Sequence, residues 1–312
     1  MNRRLFDFEI PDWFPVKDPL VLERCRNIRR EDMETTNEHG YSIRIIPHPE
    51  SAIAAELFNW IRRSDVEDKK TVIVFPNSWK NVYTAAVEMC NAFNVSGRNL
   101  YCFCMDEYAN EDGVVAPVSW DRSLGSHFLR EFYLSFREDL RPPLSHINYY
   151  TNENIDHYSD MIDECGNGGA DLIISATGWA GHTAFIDPDS PSFAADTLEE
   201  FMEIPAGFVK NVRLTVAQNS TSNGNIWKTP GFSVSIGPRD VMHARDHLER
   251  HDLGFCMGPA MYSSWERMIS RLQLYGPVCK EVPASLYQLT KGTIYVSEEM
   301  ARPIAPMDLR EF

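Results

Sequence analysis

A chain of 312 residues with 43% hydrophobic and 24% charged side chains is long enough to bury a large core and too apolar to be disordered. Its formal net charge of −15 argues against nucleic acid or an anionic membrane as a partner, because neither a phosphate backbone nor acidic lipid attracts a negative surface, and leaves room only for local basic pockets. The seven cysteines (Cys25, Cys90, Cys102, Cys104, Cys165, Cys256, Cys279) show no CxxC pair, which favours buried free thiols over a metal or disulfide framework and points to a reducing, cytoplasmic setting.

In chain order, residues 1–41 read as an irregular arm. Pro11, Pro15 and Pro19 interrupt it, and Phe6, Phe8, Trp13 and Phe14 are expected to pack it on the body or on another subunit. Residues 42–312 then read as one domain. Tyr41 to Ile46 alternates in character and is predicted as a strand. Pro49 to Arg63 places Ile53, Ala54, Leu57 and Ile61 at helical spacing, with Ser51 as its cap. Lys70 to Pro76 is a β-branched run suited to a buried parallel strand, followed by the polar turn NSWKN and a helix over Val82 to Phe93.

Leu100 to Met105 is the next strand, on which Cys102 and Cys104 point the same way. It delivers Asp106, Glu107 and Tyr108 at its carboxyl end. Adjacent carboxylates on a strand alternate faces, so at most one of Asp106 and Glu107 enters a pocket. Ser123 to Phe136 is predicted helical, His146 to Tyr150 extended, and Asp156 to Cys165 helical. The recurring order of strand, loop and helix gives an α/β fold with a mainly parallel sheet and helices on both faces.

Asp171 to Pro188, DLIISATGWAGHTAFIDP, opens as a buried strand, passes Gly178 and Gly181, and presents His182 and Asp187 in a polar turn. Ligands of open α/β sheets gather beyond such carboxyl ends, where Gly-rich loops bring backbone and titratable groups to a substrate. His182 exchanges protons near neutral pH, and Asp187 is placed to fix its tautomer. An ordinary loop histidine is the alternative. A carboxylate with a histidine is the equipment of enolisation and of sugar-ring opening.

The stretch from Phe193 to Gly224 carries no clear period. Gly231 to Ile236 is predicted as a strand. Asp240 to His251 reads as an exposed helix bearing His243, His247 and His251 at steps of four, and its arginines and carboxylates favour a solvated face over a metal site. Met261 to Leu272 is a helix, Ser285 to Thr290 a turn or helix start, and Gly292 to Val296 the last strand. No metal and no cofactor are expected.

MDEY at Met105 to Tyr108, with GHTAFIDP at Gly181 to Pro188, resembles the glucosamine-6-phosphate deaminase (isomerase) family. IRIIPHPESAIAAELFNWI, SLGSHFLREFY, SIG at 235–237 and SLYQLTKGTIYV add to the likeness, which spans about residues 42–300. The resemblance implies a Rossmann-like three-layer α/β/α sandwich with a mainly parallel sheet, shared with ribose-5-phosphate isomerase and 6-phosphogluconolactonase. It implies aldose–ketose isomerisation with loss of the amine: Asp106 as the base between C1 and C2, His182 assisting ring opening, and Asp187 orienting His182 where the family has Glu. Substrate contacts are expected at Ser78, Lys80, Glu107, Tyr108, Gly178, Trp179 and Gly181.

Two departures alter that expectation. The family's aspartate before Gly-His is Ala180 here, and its Gly-rich phosphate loop is replaced by Pro76, Asn77, Ser78, Trp79, Lys80 and Asn81. The substrate therefore stays open between a sugar and a sugar phosphate. A catalytically weakened sugar-binding or regulatory protein and a 6-phosphogluconolactonase-like hydrolase remain alternatives. A homo-oligomer is compatible with the sequence.

Overall fold

Seven parallel strands form the central layer of the computed structural model, which describes residues 14–76, 79–188, 190–223, 226–253 and 264–304. Their order is β1 (Tyr41–Ile46), β10 (Gly292–Ser297), β9 (His247–His251), β6 (Leu172–Ala176), β2 (Thr71–Phe75), β3 (Leu100–Cys104) and β5 (Ile147–Asn148). The β-branched and aromatic runs fall where the sequence puts them, because a strand covered on both faces needs apolar side chains on both.

Alternation divides those side chains. Ile73, Phe75, Leu100, Cys102, Cys104, Leu172 and Ile174 face helices α2 (Pro49–Val66), α3 (Lys80–Phe93) and α4 (Leu124–Glu131). Val72, Val74, Phe103, Ile173, Ile294 and Val296 face α5 (Tyr158–Gly166), α8 (Pro238–His243) and α9 (Ser264–Tyr275). The expected α/β/α sandwich is therefore the fold observed.

From β2 the chain moves to β3 on one side, and from β6 it moves to β9 on the other. Neighbouring strands whose connections depart in opposite directions leave a crevice beyond their carboxyl ends. That crevice receives the loops after Phe75 and after Ala176. A second, antiparallel sheet flanks it, in the order β4 (Asp106–Ala109), β8 (Phe232–Ser235) and β7 (Gly207–Lys210). Asp106 thus opens a strand of this smaller sheet rather than a turn.

Several expectations are corrected. Asp240 to His251 is not one exposed helix: α8 ends at His243, and His247 to His251 is β9, buried between β10 and β6. Of the charges that suggest solvent, Glu249 and Arg250 are buried and partnered, while Arg245 stays exposed. The His247 ring nitrogens lie 3.0 and 3.1 Å from the carbonyls of Lys291 and Val241. His48, not Ser51, occupies the N-cap of α2, with Pro49 in the first helical position. The arm is not irregular throughout, since α1 (Pro19–Arg26) is capped by the Asp18 side chain. Phe14 packs edge-on against Trp265 at 4.8 Å, and Val16 and Cys25 pack against Met268, Ile269 and Leu272. Phe6, Phe8 and Trp13 lie outside the described residues. The unassigned stretch after Phe193 supplies α6 (Leu198–Met202), β7 and α7 (Arg213–Asn223).

No described helix is long and apolar enough to cross a membrane. Six cysteines are free among the described residues, and Cys102 and Cys104 sit together on one buried face.

Candidate active site

The turn after β6 folds tightly around His182. Gly181 adopts φ +73°, in the left-handed region, where a side chain would be strained and would also press on Val282 and Ile269. Gly178 is required for a different reason: a Cβ there would fall on the His182 ring. Sequence and site are linked directly, because the bare Gly178 backbone is the surface on which the imidazole lies.

His182 is 5% exposed and Asp187 is 1% exposed. His182 Nδ1 lies 2.9 Å from Asp187 Oδ1 and 2.8 Å from Thr215 Oγ1, on α7. Thr215 Oγ1 donates to Asp187 Oδ1 at 2.6 Å, and Val212 N donates to Asp187 Oδ2 at 2.9 Å. The threonine has one proton and gives it to the carboxylate, so its oxygen accepts from Nδ1–H. That arrangement assigns the hydrogen of a neutral imidazole to Nδ1 and leaves Nε2, on the Gly178 side, as the proton acceptor. Thr215 was not anticipated, for it sits in a stretch without hydrophobic period.

Asp106 is 8% exposed at the start of β4, in register with Ser235 of β8. Ser235 Oγ accepts from Phe185 N, three residues after His182. One serine therefore joins the Asp106 strand to the His182 turn. Glu107 is placed otherwise than expected. Its carboxylate accepts from Ser123 Oγ at 2.6 Å, from Tyr108 N at 2.8 Å, and from Leu124 N and Gly125 N at 2.9 Å. Burial pushes its pKa up and these donors oppose the shift. Glu107 anchors the start of α4, and its acceptor capacity is consumed there. Tyr108 is buried between Trp120 and Phe185, with ring centroids at 6.1 and 5.8 Å.

Trp179 is half-buried and tethered on three sides. Its N–H donates to Gln218 Oε1 at 2.6 Å, its indole Nε1 donates to Glu266 Oε1 at 2.5 Å, and its carbonyl accepts from Trp265 Nε1 at 3.0 Å. The ring is held against α7 and α9. Ala180 beside it is buried. At the end of β2, Trp79 is buried at the N-cap of α3, Lys80 is exposed at its first position, and Ser78 lies outside the described residues. The Arg250 guanidinium, from the carboxyl end of β9, lies 4.4 Å from the Trp79 ring centroid and pairs with Glu50 and with Asp252.

Behind the site, β9 and α9 enclose a polar cluster. Thr177 Oγ1 donates to Gln273 Oε1 at 2.5 Å and lies 3.2 Å from the His251 ring nitrogens. Gln273 Nε2 donates to Glu249, and His251 Nδ1 is 2.8 Å from Ser270 Oγ. These contacts hold Thr177, the first residue after β6, against α9. Among the described residues no group of three or more His, Cys, Asp or Glu is placed to hold a metal ion.

No protein-family model matches the chain. It is 25% identical over 224 residues to the glucosamine-6-phosphate deaminase of Clostridioides difficile (strain 630), an overlap of 70% of this chain and 78% of that one. A solved monomeric glucosamine-6-phosphate deaminase superposes with a TM-score of 0.66 at 16% identity, covering 83% of this chain and 98% of that chain. The 6-phosphogluconolactonase of Trypanosoma cruzi superposes with a TM-score of 0.60 at 14% identity, covering 86% and 98%. The chain resembles the glucosamine-6-phosphate deaminases as a divergent relative, and it has the fold common to these two enzymes.

Proposed function

We propose that residues 42–312 form an amino-sugar isomerase–deaminase acting on a small-molecule sugar or sugar phosphate, with Asp106, His182 and Asp187 as its acid–base groups. The observation that carries this reading is the His182–Asp187 pair, 2.9 Å apart and further bonded through Thr215, in the turn beyond the carboxyl end of β6. In it, His182 Nε2 exchanges a proton with the ring oxygen as the hemiacetal opens. Asp106 then takes the proton from C2 of the open aldose and returns it to C1, and the C2 nitrogen leaves as ammonia after hydrolysis of the ketimine. Gly178 and Gly181 keep the turn close to the substrate, and Trp179 and Tyr108 wall it. Lys80 and Ser78, at the entrance to α3, are proposed contacts for the far end of the sugar.

The test is ammonia release and ketose formation from amino sugars, each with and without a 6-phosphate, by the native chain, Asp106→Asn and His182→Ala. Turnover abolished by both substitutions supports the reading. Binding by the native chain without turnover favours the second reading, a sugar-binding protein. The absence of a carboxylate at Ala180 is the observation behind that alternative.

A further inference from the structure

Glu266 is a carboxylate that the proposed reaction does not use, and its surroundings are incomplete. It stands in the first turn of α9 at 4% exposure. Trp179 Nε1 donates to its Oε1 at 2.5 Å, while its Oε2 is buried with no hydrogen-bond partner among the described residues. Two carboxylate oxygens accept about four hydrogen bonds, and a buried acceptor left without a donor is costly. Burial raises the Glu266 pKa. Asp252 raises it further, while the indole N–H and Arg267 oppose the shift.

The place of this orphan oxygen gives it meaning. Trp179 is three residues before His182, and its carbonyl is held by Trp265, the residue before Glu266. Glu266 therefore borders the crevice from the α9 side. On the β2 side, the turn into α3 is the kind of place that cradles an anion when it is built of glycines. Here Trp79 is buried in it, and the Arg250 guanidinium over its ring is already matched by Glu50 and by Asp252, 3.3 Å from Arg250 Nε. The Arg250 cation is spent on two carboxylates, and Glu266 keeps an unfilled acceptor.

We infer, resting on the isomerase–deaminase reading, that this end of the crevice takes an unphosphorylated sugar, one of whose hydroxyl or ammonium groups donates to Glu266 Oε2. A phosphate brought against Glu266 meets a carboxylate in place of a donor, and like charges at close range oppose binding.

Calorimetric titration of the full chain with glucose, glucosamine and their 6-phosphates tests the inference. Glucosamine is expected to bind about tenfold or more tightly than its 6-phosphate. Glu266→Gln keeps an acceptor for Trp179 and removes the charge, and it is expected to bring that ratio below about threefold. Glu266→Asp withdraws the carboxylate by one methylene and is expected to lower the ratio at least threefold, which serves if the glutamine variant does not fold. Equal or tighter binding of the 6-phosphate, a ratio unchanged in both variants, or no binding of any of the four sugars overturns it. Turnover of a 6-phosphate that Asp106→Asn abolishes would overturn this inference while leaving the isomerase–deaminase reading in place.

Discussion

His182 Nδ1 lies 2.9 Å from Asp187 Oδ1, and Thr215 Oγ1 touches both, donating to the carboxylate and facing the imidazole nitrogen at 2.8 Å. The carboxylate is one methylene shorter than the glutamate expected from the family and still reaches, because the Thr183–Asp187 turn closes with Ile186 N donating to Thr183 O. Replacing Thr215 with Val removes the proton that commits the carboxylate and the oxygen that accepts from Nδ1–H. The expected cost is about 10- to 100-fold in turnover. A readout independent of turnover is the ¹⁵N spectrum of the histidine. Nδ1 should carry the hydrogen in the native chain and keep it in Thr215→Val, where Asp187 Oδ1 still lies 2.9 Å away, and the tautomers should mix only when Asp187→Ala is added.

Gly178→Ala should damage the same histidine from the opposite side. A methyl group there overlaps the His182 ring, so the imidazole must leave its position or the turn must shift. Overpacking of this kind costs about 1–3 kcal/mol, measurable by urea unfolding, and turnover should fall with it. Gly207→Ala is the control, since a Cβ there meets nothing within 4 Å. Its stability should stay within about 1 kcal/mol of the native chain.

How far the sequence discloses this site depends on where each partner comes from. His182 and Asp187 share one turn, and Asp106 ends an apolar run, so local pattern reveals them. Thr215 and Glu266 arrive from helices whose own sequences give no sign of a target. HLERH at 247–251 misleads for a physical reason. A central strand of a parallel sheet is ordinarily apolar, but here Glu249 and His251 find Gln273 and Ser270 across the α9 interface, while Arg250 points to the other face and finds Glu50. Polar residues can occupy a buried strand when partners are supplied from elements distant in sequence, and periodicity carries no information about such partners. Glu107 is a related case: of two adjacent carboxylates after one strand, Asp106 opens β4 and Glu107 holds the start of α4, and only the donors around Ser123 reveal the second role.

Stability should carry a pH dependence written by Asp240. Its carboxylate is buried, accepts from Gly237 N at 2.7 Å and Ser159 Oγ at 2.8 Å through one oxygen, and leaves the other unpartnered. Burial pushes its pKa from 3.8 to about 6. The folded chain therefore binds this proton more tightly than the unfolded chain. The resulting stabilisation is present below about pH 4 and is lost as the pH rises to about 6, on the order of 3 kcal/mol in full. Unfolding free energies measured between pH 4 and pH 7 should show that contribution as a difference between the native chain and Asp240→Asn, which cannot titrate. Parallel pH profiles for the two proteins would refute it.

Arg271 should prove among the most costly side chains to replace, although it is far from the proposed chemistry. It is fully buried, and its guanidinium donates to the carbonyls of Ile28, Arg267, Met300, Ala301 and Arg302 at 3.0–3.3 Å. These carbonyls belong to the arm, to α9 itself and to the segment after β10, so one side chain ties three parts of the chain together. Burial lowers its pKa only to about 10, and it stays charged at neutral pH. A lysine supplies the charge but not a planar fork of five donors, and several carbonyls would lose their partner. Arg271→Lys is expected to cost about 2–4 kcal/mol by urea unfolding. Arg271→Met keeps the volume without the buried charge, and because it orphans every carbonyl it should cost at least as much. A methionine variant as stable as the native chain would show that the clamp contributes nothing beyond its packing.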